Sequence, residues 1–298
     1  MLQKFSGLKK LLVVALVAIF ALSVVGCTDQ SAPEEGREQS EQKGTIEIGM
    51  VNWAECVANS NLWKVILEDM GYKVNLTQLE AAPLYLGLNK GDIDVFLDAW
   101  LPITHERYWE EYQGNLEDLG IWYPGARIGL VVPQYVDINS IEELAENKDK
   151  FGGEIIGIDP GAGIMLATER ALEDYGLDFK VIQGSEAAML SALKKAYEKG
   201  EWIVVTGWTP HWKFAEYDLK FLDDPKLSYG EAEQLHVLAN KDFSNKFPEV
   251  AEMLKKFSLN DDQIGSLEAL INEGMAPEEA ARQWIEDNRE LVNSWIAQ

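Results

Sequence analysis

From Thr45 onward, strand-like runs alternate with helical ones, and that alternation predicts an α/β fold. The first observation is that TIEIGMV and KVNLTQLE flank SNLWKVILEDMG, where Trp63, Ile66, Leu67 and Met70 share one helical face before Gly71 stops the run. The second is that DIDVFLDAW follows a further helical stretch. The third is a second series of the same kind, RIGLVVP, SIEELAEN, EIIGIDP, GIMLATERALEDYG, KVIQG, SEAAMLSALKKAYEKG and EWIVVTGW. Strands separated by helices build parallel βαβ units.

Within that series Ser140 and Glu143 form a capping box that opens the SIEELAEN helix. QLHVLANKDF reads as one more strand, and the chain ends in helices opening at Pro248 and Pro277, each suited to a first helical position. Ala281, Trp284, Ile285, Val292 and Trp295 share a face of the last helix, so the helical tail is expected to return and cover the first α/β unit.

The first 26 residues fall outside the expected fold. Lys4, Lys9 and Lys10 precede an apolar run of 15 residues, Leu11 to Val25, and VVGC brings small residues up to Cys27. A membrane span requires about 20 apolar residues. Residues 1–26 therefore read as a lipoprotein signal peptide, Cys27 as the lipid-bearing residue and 27–44 as a polar tether. With Cys27 lipidated, Cys56 has no intramolecular partner, and the fold relies on its core.

The formal charge of −24 argues against nucleic acid, which requires clustered Lys and Arg. Enzyme signatures are missing: there is no HExxH, no GxSxG and no metal-spaced Cys/His cluster, and the histidines are only His105, His211 and His236. No cofactor or metal is implied. Cys56 reads as a small pocket or core residue.

Ten tryptophans divide by position. Trp63, Trp284 and Trp295 lie on amphipathic stripes and belong to the core, as do Trp122 and Trp202 in or beside strand runs. Trp109 and Trp212 read as rim or packing residues. Trp53, Trp100 and Trp208 differ, because each ends a strand signal, and ligands of open α/β sheets bind at the carboxyl ends of strands. Three converging rings make an apolar, electron-rich box for a quaternary ammonium, which has no N–H to donate and is held by ring faces. In IGIDPGAGIM a strand ends at Asp159–Pro160, Gly161 to Gly163 make a turn, and a helix begins near Ile164. The backbone N–H groups of Gly163 and Ile164 then face outward from a helix start and favour an anion. His105, just after DAWLP, is the candidate side-chain donor to that anion.

GIDPGAGIM, VVTGWTPHW, KFLDDPKLSYGEAEQLH, SNLWKVILEDMGYKV, DAWLPITH and GLVVPQYV together resemble the glycine betaine-binding lipoproteins of osmoprotectant ABC importers, over nearly all of the mature chain. The resemblance implies a two-lobed periplasmic-binding-protein fold of the second class with the ligand between lobes. It implies a tryptophan prism at Trp53, Trp100 and Trp208 around the ammonium, and a carboxylate held by the amides of Gly163 and Ile164 and by His105. It also implies an extracytoplasmic, lipid-anchored monomer that serves the membrane subunits of an importer, with residues 45–127 plus 236–298 as lobe 1 and 128–235 as lobe 2. Two rival readings remain. One is a binder of choline or carnitine; the other is a secreted enzyme acting on quaternary amines with Cys56 or His105 catalytic.

Overall fold

The computed structural model describes residues 43–297. The signal peptide, Cys27 and all of the tether except Lys43 and Gly44 lie outside the described residues. In chain order the elements are β1 (Thr45–Met50), α1 (Ala54–Asp69), β2 (Lys73–Gln78), α2 (Ala81–Lys90), β3 (Val95–Leu101), α3 (Glu106–Tyr112) and β4 (Leu116–Pro133). Then follow β5 (Glu154–Ile156), α4 (Gly163–Tyr175), β6 (Lys180–Ile182), α5 (Glu186–Lys199), β7 (Val205–Thr209), α6 (Lys213–Glu216) and β8 (Leu219–Phe221). The chain closes with β9 (Glu233–Asn240), α7 (Phe243–Lys246), α8 (Pro248–Leu254), α9 (Asp261–Asn272), α10 (Pro277–Asp287) and α11 (Arg289–Ile296).

The strands form a curled path ordered β2-β1-β3-β9-β4-β7-β5-β6, with β8 also on β4. The βαβ units give the expected parallel pairs, β1 with β2 and β3, and β5 with β6 and β7. The sheet is nevertheless mixed, since β9 runs antiparallel to β3 and β4, and β4 runs antiparallel to β7 and β8. β4 joins the two parallel groups. It pairs with β9 as far as Ala126 opposite Glu233, and with β7 from Arg127 opposite Thr209.

Several boundaries differ from the sequence reading. The helix read from SNLWKVILEDMG begins earlier, at Ala54, with Trp53 at the N-cap position. The strand read as RIGLVVP extends back to Leu116. The strand expected to reach Asp159 ends at Ile156. SIEELAEN forms 3-10 turns over Ile141–Glu143 and Ala145–Phe151, although the capping box is present, with the Ser140 N–H donating to the Glu143 carboxylate at 3.0 Å. The last helix is two helices, α10 and α11, broken at Asn288.

The helical tail does return to the first unit. Trp295 stacks on Trp63 at 6.3 Å and on Trp284 at 6.4 Å, and Phe257 meets Trp63 edge-on at 5.4 Å and stacks on Trp122 at 5.5 Å. All five side chains are buried, and burying each contributes on the order of 1.5–3 kcal/mol or more. That aromatic core anchors α1 and thereby fixes Trp53 at its N-terminus.

Candidate functional site

All six residues singled out for ligand binding line one cavity, together with Glu55, Thr104, Ile128, Ile158 and Ala162. Trp53 enters from the start of α1, Trp100 from the end of β3 and Trp208 from β7, and all three are buried. Two of the indoles are aimed by acids: Trp53 Nε1 donates to Asp159 Oδ1 at 3.2 Å, and Trp208 Nε1 donates to Glu55 Oε2 at 2.9 Å.

His105 is fully buried and its tautomer is fixed. The Trp100 backbone N–H donates to Nδ1 at 3.0 Å, with the Tyr85 hydroxyl also 3.0 Å from that nitrogen, so in the neutral ring the proton resides on Nε2. Nε2 is buried and has no hydrogen-bond partner among the described residues. Burial lowers the imidazole pKa to about 3, which keeps the ring neutral at physiological pH. The loop carrying His105 is tied down by Glu233, whose carboxylate accepts from the N–H groups of Ile103 at 2.8 Å and Thr104 at 2.7 Å and from the Thr104 hydroxyl.

Opposite this loop, α4 begins at Gly163, so Gly163 and Ile164 carry N–H groups that no helical carbonyl can take. A Cβ on Gly163 would come within 2.0 Å of the Thr104 carbonyl oxygen, so only glycine lets α4 and the His105 loop approach this closely. Tyr108 strengthens the junction by donating to the Gly161 carbonyl at 3.0 Å.

A buried charged group beside the box escaped the sequence reading. Glu186 accepts the Ala54 N–H at 3.1 Å and so caps α1 from α5. The Lys213 N–H donates to His211 Nδ1 at 3.0 Å, which leaves His211 Nε2–H to donate to Glu186 Oε1, also at 3.0 Å. Lys213 Nζ donates to the Trp208 carbonyl at 3.1 Å and lies 4.2 Å from the centre of the Trp208 ring. Burial raises Glu55 to about 7 and Glu186 to about 8, and lowers Lys213 to about 7. No spacing rule marks these residues. The only local hint is that Glu55 follows Trp53 by two positions.

Cys56 is buried, and its Sγ accepts the Val51 N–H at 3.3 Å. Desolvation pushes its thiol pKa well above the usual value, so the nucleophilic thiolate is suppressed. His236 lies away from the cavity and pairs with Asp118 at 2.9 Å.

Residues 44–287 match the family described as the substrate binding domain of ABC-type glycine betaine transport systems. The chain is 46% identical over 144 residues to the glycine betaine/carnitine transport binding protein of Listeria monocytogenes, a match covering 47% of this chain and 48% of that one, so it spans about half the length of this relative. Lactococcal OpuAC, in its closed-liganded conformation with glycine betaine, superposes with a TM-score of 0.81 at 36% identity, covering 85% of this chain and 99% of that one. An ABC-transporter choline binding protein in complex with choline gives a TM-score of 0.79 at 28% identity, covering 85% and 91%. The fold is thus the two-lobed α/β fold of the periplasmic binding proteins. The chain belongs to the family of substrate-binding domains of ABC-type glycine betaine transport systems.

Proposed function

We propose that the protein is an extracytoplasmic solute-binding protein, lipid-anchored through Cys27, that captures glycine betaine and proline betaine as a monomer and delivers them to the membrane subunits of an ABC importer. One observation carries the reading. Three buried tryptophans, the unpartnered Nε2–H of His105 and the first two N–H groups of α4 share a single small cavity. Rings suit a quaternary ammonium, and convergent N–H donors suit a carboxylate. Betaines carry both groups. Residues 45–127 with 236–298 form one lobe in this proposal and 128–235 the other, a division supported by the change of β4 partner at Ala126 and Arg127. No chemistry is performed: the Cys56 thiol is suppressed, and His105 has its Nδ1 occupied.

The choline reading draws support from the choline-binding relative. Choline lacks a carboxylate, however, and would leave His105 Nε2 and the α4 amides without a partner, a costly state for buried donors. Titration calorimetry with glycine betaine, choline and 3,3-dimethylbutanoate, the carbon-headed isostere of betaine, tests the proposal. Betaine is expected to bind at least about tenfold more tightly than either, a difference of about 1.4 kcal/mol. Equal binding of choline would remove the carboxylate clamp, and equal binding of the isostere would remove the cation box.

A further inference from the structure

Glu55 is the one acidic side chain lining the cavity, and it is 1% exposed. One of its oxygens accepts the Trp208 indole N–H. On β3, Asp98 is 0% exposed, with the Trp100 indole and the Glu55 carboxyl as its polar neighbours. The Glu55 and Asp98 carboxyl groups are neighbours in this buried site and repel each other when both are ionised. Two buried carboxyls side by side do not both stay ionised, so the pair holds a proton. The remaining ionisable groups around Glu55 come from every packed element. Lys213 faces it from α6, Glu186 from α5 and Glu268 from α9, and Cys56 follows it on α1. His211 stays neutral through burial. Four buried carboxyls thus face one buried lysine, and among the described residues no cluster of His, Cys, Asp or Glu is arranged to hold a metal ion.

We propose that Glu55 is the counter-ion of the cation box and determines its specificity for ligand charge, so that capture of a quaternary ammonium drives the proton shared by Glu55 and Asp98 out to solvent. The proposal rests on the betaine reading above. A trimethylammonium cannot hydrogen-bond to Glu55, but it brings a full positive charge into a cavity that contains the carboxyl. In a low-dielectric site that charge favours carboxylate over carboxylic acid. Burial raises Glu55 to about 7, so beside Asp98 the pair holds a proton at neutral pH that an incoming positive charge can expel. The sign follows: betaine affinity falls as pH drops through 7, because below that value binding must first expel a proton. Lys213, also near 7, would release a proton in the same direction, so a variant must separate the two.

The test is calorimetry of glycine betaine at pH 7 in buffers of different ionisation enthalpy. The wild-type protein is expected to release a measurable fraction of a proton with betaine and none with 3,3-dimethylbutanoate. Glu55→Gln keeps the acceptor for Trp208 but loses the charge. It is expected to weaken betaine by about tenfold, to narrow the preference for betaine over the isostere, and to release less proton, at an unchanged melting temperature. Betaine binding by the wild type without proton release overturns the proposal and leaves the functional reading intact. So does a release unchanged in Glu55→Gln, or an equal loss of both ligands in that variant. Failure of betaine to bind the wild type overturns the functional reading and this proposal with it.

Discussion

Because the Trp100 backbone N–H already donates to Nδ1 of His105, the proton of the neutral ring is confined to Nε2, the nitrogen left without a protein partner in the cavity lining. A residue that usually titrates near neutrality is here a fixed donor. In 15N NMR, His105 is expected to show the Nε2–H tautomer with no titration between pH 5 and 8, since burial holds its pKa at about 3. His105→Ala should weaken betaine by roughly tenfold or more, in line with a hydrogen bond to a charged group of about 1.5–3 kcal/mol. A titration step near pH 6.5 in protein without added ligand would show that the ring is solvated and not preset.

At the level of elements, the site is the meeting of the α4 N-terminus with the loop that follows β3, and Gly163 sets how closely they meet. Gly163→Ala is expected to push α4 off the Thr104 carbonyl and weaken betaine by more than about tenfold, while Gly161→Ala, whose added methyl meets nothing within 4 Å, should bind as the wild type does. Calorimetry and melting curves of the two variants check this pair, and equal affinities would mean that the close approach is dispensable. The glycine turn and the three tryptophans were legible in the sequence because strand ends and helix starts leave local signals. Glu55 was not. It lies ahead of the SNLWKVILEDMG pattern that marks the helix, and its environment comes from Trp208 and Lys213, more than 150 residues away. The early part of β4 was hidden for a different reason, since irregularities between Asp118 and Gly120, Ile121 and Tyr123, and Pro124 and Ala126 break the two-residue alternation that identifies a strand.

For the molecule as a whole, the polar contacts around the cavity tie residues 159–208 to residues 53–108. Trp53 reaches Asp159, Trp208 reaches Glu55, Glu186 reaches the Ala54 N–H and Tyr108 reaches the Gly161 carbonyl. In an open protein these groups could be hydrated, so a ligand touching both halves should shift the population toward closure. Glycine betaine is expected to lower the radius of gyration in small-angle scattering; a curve unchanged at saturation would mean that the halves move as one body. The sheet order also bears on how the chain is made. β9 sits between β3 and β4, pairing Val95 with Ala239 and Leu116 with Asn240, so the sheet that begins at Thr45 lacks an interior strand until residue 240 has been synthesised. Contacts so distant in sequence form late. During translation the nascent N-terminal segments therefore remain without their final partner, and a chain in that condition stays available for threading through an export channel before it folds.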